Sequence, residues 1–151
     1  MKVSVFSKPT AEYPTFGTLR YGSAYWEGTI HLEPFGGSFP IIVRAKREGP
    51  SASQVAAMSR VVSEAASIKA LASAGMVEVH EESELLPSGV GPHPETIWQH
   101  LAPSQIEVCD ETYYGDGRIA VLLIFEASEQ PDFAPAIETA DGTFVEVLSG
   151  T

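Results

Sequence analysis

The stretch Ser51–Gly75, SASQVAAMSRVVSEAASIKALASAG, most restricts what this chain can become. Val55, Met58, Val61, Val62, Ala65, Ile68, Leu71 and Ala72 recur at three- and four-residue steps, which on a helix gathers them into one apolar stripe. Arg60, Ser63, Glu64 and Ser67 fall largely on the opposite side. Ser51 followed by Gln54 is a capping-box pattern, in which each side chain satisfies a free backbone N–H of the first turn. The many alanines favour the helix and let it lie close to a sheet, and Gly75 is expected to end it. An apolar stripe of this kind needs a surface to cover. The flanking sequence has to supply that surface as strands.

Upstream, residues 1–14 read either as a short edge strand, with Val3 and Val5 at strand spacing, or as an arm broken by Pro9 and Pro14. FGTLRYGSAYWEGTIHLE then reads as two strands joined near Gly22-Ser23. Trp26, Ile30 and Leu32 share one face of the second strand, and Tyr25, Glu27, Thr29, His31 and Glu33 the other. In FPIIVRAKR, Phe39, Ile41, Val43 and Ala45 alternate with Ile42, Arg44 and Lys46, as in a sheet with one wet face. Glu27, His31 and Glu33 are expected across from Arg44 and Lys46.

Downstream, MVEVHEESELLPSGVGPHP is expected to be solvated: its acidic run continues the helix after a kink or forms a separate turn. Pro94 opens a short helix, ETIWQHLA, which Pro103 ends. A short strand (IEVC), a turn (YYGDG) and an apolar strand from Ile119 to Phe125 follow. The last of these suits a central strand covered on both faces. Residues 134–140 and 143–148 flank Asp141-Gly142, a strong two-residue hairpin signal. The fold class expected is α+β, one domain over 1–151: a largely antiparallel sheet packed on one long helix (about 51–75), with a short helix at about 94–102.

A chain of 151 residues with 44% hydrophobic and 19% charged residues can bury a core without disulfides or metal. Its net charge of −11 repels phosphate backbones, which argues against nucleic-acid binding and suits a basic protein partner. One cysteine, Cys109, excludes an intramolecular disulfide. With no signal-like leader and no long apolar run, a cytoplasmic protein without membrane association is expected.

The segments FGTLRY, YWEGTIHLE, ETIWQHLAPSQIEV and ADGTFVEV, spread over about residues 16–148, resemble small uncharacterised bacterial domains. Those domains stand alone and are sometimes suspected of toxin-immunity roles. The pattern Trp-x-x-Glu-His-Gly that follows their apolar strand has no counterpart here, where the chain reads ASEQPDFAPAI. The resemblance therefore implies a binding role and transfers no active site.

Candidate chemistry is sparse. His31, His80, His93 and His100 lack metal-ligand spacing; His80 beside Glu81, Glu82 and Glu84 comes nearest, and a solvated acidic run explains it as well. Cys109 sits among Glu107, Asp110 and Glu111, an acidic setting that disfavours a thiolate. The serines have no nucleophile elbow, and the glycines at 35–37 and 115–117 suit turns, not a phosphate cradle. Asp110, Glu111 and Asp116 do not follow a calcium-loop pattern. No catalytic residue, metal or cofactor is assigned. Tyr113 and Tyr114, on a turn, and the acidic run Glu78, Glu81, Glu82 and Glu84 are the candidate partner-binding residues, since interfaces favour tyrosine. The expectation is a non-enzymatic acidic binding protein that occludes a basic partner. The alternatives are an enzyme with a diffuse carboxylate/histidine site and a homo-oligomeric accessory protein pairing by a strand edge.

Overall fold

A computed structural model describes residues 9–22, 24–90, 93–128 and 130–150. Eight strands form one sheet in chain order: β1 (Thr10–Tyr13), β2 (Gly17–Gly22), β3 (Tyr25–Leu32), β4 (Gly37–Val43), β5 (Leu101–Val108), β6 (Ala120–Ala127), β7 (Ala136–Ala140) and β8 (Thr143–Leu148). The fold is α+β and the sheet mostly antiparallel, as the pattern of strand runs implies. The exception is β4 and β5, which lie parallel, with Ile41 opposite Ile106 and Val43 opposite Val108. A parallel pair cannot be closed by a tight turn, and here the whole helical segment is the crossover. Of the expected strand or arm over 1–14, residues 9–14 are described and form the strand Thr10–Tyr13 between Pro9 and Pro14; Val3 and Val5 lie outside the described residues, as does Ser23 of the first turn.

The long helix is two helices. α1 (Ala52–Ser63) and α2 (Ala65–Glu82) meet at Glu64, whose backbone leaves helical values at φ −111° and ψ 17°. The hydroxyl of Ser63 donates to the Arg60 carbonyl at 3.1 Å, a back-bond that competes with the helical ladder and bends it. Gly75 does not end the helix either, and residues 76–82 continue it. A Cβ at Gly75 would stand 3.0 Å from Cγ2 of Val147, so the glycine lets α2 lie close against β8. The apolar stripe is correspondingly narrower than its pattern. Met58, Val61, Ala65, Ile68, Ala72 and Met76 are buried, whereas Val62 is 42% and Leu71 60% exposed. The bend at Glu64 sets a new buried line on α2, and Leu71 falls outside it.

The predicted capping box is present: the Ser51 hydroxyl accepts from Gln54 N, and Gln54 Oε1 accepts from Ser51 N. The short helix is a 3₁₀ helix, Pro94–His100, and the chain turns into β5 at Leu101, before Pro103. Pro103 lies inside β5 at an irregularity of register with β6, the kind of position that tolerates a missing N–H. Trp98 and Ser73 join this 3₁₀ helix to α2 by an Nε1–H bond to Oγ of 2.9 Å. Phe35 and Phe125 pack edge-on against Trp98, and Phe39 packs edge-on against both of them. The Asp141-Gly142 hairpin is as expected: both residues have positive φ, 50° and 83°.

Candidate functional site

One face of the sheet turns to the helices and carries Trp26, Phe39, Ile41, Val43, Ile106, Val108, Val121, Leu123, Phe125 and Ile137, all in the core. The strand register lays a line of side chains across the other face: Arg20, Glu27, Ile42, Glu107, Leu122, Glu138 and Glu146. Arg20 lies 3.9 Å from Glu27, and Arg44 donates to Glu107 at 2.8 Å while lying over the Tyr25 ring. The expected pairing of Arg44 and Lys46 with Glu27, His31 and Glu33 is therefore different in fact. Arg44 lies just past β4 and meets β5, and His31 pairs with Glu33 at 2.9 Å.

The loop between β5 and β6 rises over the far half of this face. Tyr114 donates its hydroxyl to the carboxylate of Glu138, which is only 8% exposed. The ring of Tyr114 is held between Tyr113, edge-on at 4.9 Å, and the guanidinium of Arg118 at 4.4 Å. Arg118 is itself fixed by Asp116 at 3.0 Å. Burial, then the Glu138 hydrogen bond and charge, push the Tyr114 phenol pKa up, so it stays a donor. Tyr113 is 44% exposed, and its phenol too is shifted up, by burial and then by the charges of Glu138, Cys109 and Glu146. Tyr113 is thus an exposed ring on a fixed mount.

Glu138 and Glu146 are cross-strand partners, like charges directly opposite each other. Glu146 also lines a hollow of about 430 Å³ on the margin of the sheet, between α2 and β8, with Leu71, Gly75, Glu78, Glu82 and Val145 among its walls. The sheet margin at β8 therefore joins Tyr113 on the open face to Glu78 and Glu82 on the helix side. The other predicted acidic residues are not brought there. Glu84, at φ 58°, lines a separate hollow with His100 and Ser128, and Glu81 is exposed on α2 but lines neither hollow.

Other candidates resolve differently. His80 is buried at 1% exposure, its Nδ1–H donating to the Met76 carbonyl at 2.7 Å, so it points away from the acidic run. Burial, the largest cause, lowers its pKa. Among the described residues no three of the His, Cys, Asp and Glu side chains gather closely enough to hold a metal ion. The Cys109 thiol is buried, its pKa pushed up to about 12 chiefly by that burial. Asp110 binds the hydroxyl and the backbone N–H of Thr112, which lowers its pKa and occupies it within its own turn.

No family model, no curated protein and no solved structure matches this chain. Among the described residues no helix is long and apolar enough to cross a membrane.

What sequence reasoning missed is Glu138 and Glu146. Their positions in the terminal hairpin were readable, but nothing local says that Tyr114, 24 residues upstream, closes over one of them.

Proposed function

We propose that this is a non-catalytic, acidic protein-binding domain of the immunity type, which occludes a basic partner with the surface around β8. The observation that carries the reading is Tyr113, an exposed aromatic ring packed edge-on against a second tyrosine that Glu138 and Arg118 hold in place. A rigid ring loses little freedom on binding, which is what an interface anchor requires. Glu146 beside it makes no ion pair with any described residue, and its neighbour in sequence, Val145, is 43% exposed, so charge and apolar surface alternate along the margin. In a chain of net charge −11, such a surface attracts a basic protein from a distance and holds it by the ring at contact.

The test is affinity capture on the full chain, followed by association and dissociation rates of the captured partner across a salt series. The reading expects a basic partner whose association slows steeply with salt, because the attraction is screened over about 8 Å at physiological ionic strength. Tyr113→Ala should raise the dissociation rate at least tenfold and leave association nearly unchanged. An acidic partner, or a complex indifferent to both salt and Tyr113→Ala, would refute it.

A further inference from the structure

The hollow between α2 and β8 has a composition of its own. Leu71 and Val145, two of the most exposed large apolar side chains among the described residues, stand on its two walls at 60% and 43% exposure. Glu78 and Glu82 line it as well, with Glu146 on its strand wall but turned to the open face across from Glu138, and none of the three meets a cation of the described residues. Apolar contact framed by unneutralised carboxylates calls for an occupant that is both apolar and positively charged.

Three occupants can be compared. A second copy of this chain would set Glu78 and Glu82 against the same acidic surface, in a protein of net charge −11. An added strand would need a regular ladder on β8, but Glu138 faces Glu146 while Thr139 faces Phe144, leaving Val145 as an extra residue that interrupts it. A helix fits better. Leu71, Gly75, Glu78 and Glu82 follow one another at steps of four, three and four residues, a straight track along α2 of about 16 Å. Three turns of a helix laid beside α2 would match that length.

We infer that the groove between α2 and β8 receives an amphipathic basic helix of a partner protein. Its apolar residues would lie between Leu71 and Val145, and its lysines or arginines on Glu78 and Glu82. This rests on the proposed function for the existence of a natural partner, but the groove is tested without one.

The probe is a fluorescently labelled, helical peptide of leucine and lysine, with a leucine–glutamine peptide of the same length beside it. Anisotropy should show the first binding and the second not. Removing two groove charges, E78Q with E82Q, should weaken binding about tenfold, since two exposed ion pairs are lost. Removing two charges outside the groove, E81Q with E84Q, reduces the net negative charge equally and should weaken it less than about twofold. Leu71→Ala should weaken binding as well. Equal loss from the two charge pairs would mean general attraction and would overturn the inference. So would no binding, or self-association of the unliganded protein that E78Q with E82Q strengthens. If the groove fails in this way while Tyr113→Ala still releases the natural partner, the functional reading stands and only the groove is withdrawn.

Discussion

Gln54 does more than cap a helix, and its replacement gives a sharp test of the packing described above. The side chain is 3% exposed, and all three of its hydrogen bonds are to backbone. Oε1 accepts from Ser51 N at 2.9 Å; Nε2 donates to the Arg44 carbonyl at 2.9 Å and to the Cys109 carbonyl at 3.0 Å. Those two carbonyls lie just past the ends of β4 and β5, so one amide ties the start of α1 to the parallel pair. Gln54→Glu keeps the shape and the Ser51 bond but turns a double donor into an acceptor facing two carbonyls. Two hydrogen bonds at about 1 kcal/mol each, plus the carbonyls left unpaired, give a loss of roughly 2–4 kcal/mol. For a chain of this length that is a melting temperature lower by about 5–15 °C. The new carboxyl would be buried beside acceptors, so its folded-state pKa lies above its unfolded one. Its deficit is then full above the folded value and shrinks as pH falls towards the unfolded one. Thermal unfolding of both proteins from pH 7 to pH 4 is the assay. A melting temperature within about 1 °C of the parent at pH 7 would refute the bonding assigned to Gln54.

Two further outcomes are expected. Met58→Asp should unfold the protein, since Met58 is fully buried and the charge would be unpaired, whereas Val62→Asp should change stability by about 0.5 kcal/mol or less, and urea titration of both checks this. His80 should make the protein less stable in acid. Its folded pKa is lowered, so the unfolded chain binds the extra proton as pH falls below about 6.5, and stability drops until the folded value is reached. His80→Leu should flatten the melting temperature between pH 7 and pH 5, and a parent profile already flat there would count against a buried neutral imidazole.

The sequence pattern is informative where the determinants are local. The capping box at Ser51 and Gln54, the alternation of Phe39, Ile41 and Val43, and the Asp141-Gly142 turn each depend on a few neighbouring residues, and each is present. The helix end was misread because Gly75 is both a stop signal and the residue that admits β8 to α2, and only the tertiary contact with Val147 distinguishes these. Leu71 and Val62 were misread because a periodic pattern shows which residues share a side but not how much of that side is covered. At the candidate site, Tyr113 and Tyr114 were legible as tyrosines on a turn. The acidic run was not legible as a unit, since α2 sends Glu78 and Glu82 to one groove while the turn after it, with Glu84 at positive φ, sends Glu84 to another hollow. Register between strands distant in sequence decided the rest.

That register also separates the two halves of the open face. In the half from β2 to β5 each carboxylate has its cation, Glu27 with Arg20 and Glu107 with Arg44. Across β7 and β8 the rule is broken: Glu138 faces Glu146, and only Glu138 is relieved, by the hydroxyl of Tyr114. Like charges directly opposite each other destabilise a sheet, and a local choice that works against the fold is expected where a surface is kept for something else. Glu146→Lys separates the two demands. A lysine across from Glu138 should stabilise the protein by roughly 0.2–1 kcal/mol, the range for an opposite-charge cross-strand pair. The same change reverses one charge beside Tyr113 and should slow association with a basic partner several-fold at low salt, an effect that fades as salt rises. Unfolding in urea and stopped-flow association measure the two halves of the prediction on one variant. A protein that gains stability and keeps its association rate would show that Glu146 is merely tolerated, and the acidic margin at β8 would lose its claim to be the binding surface.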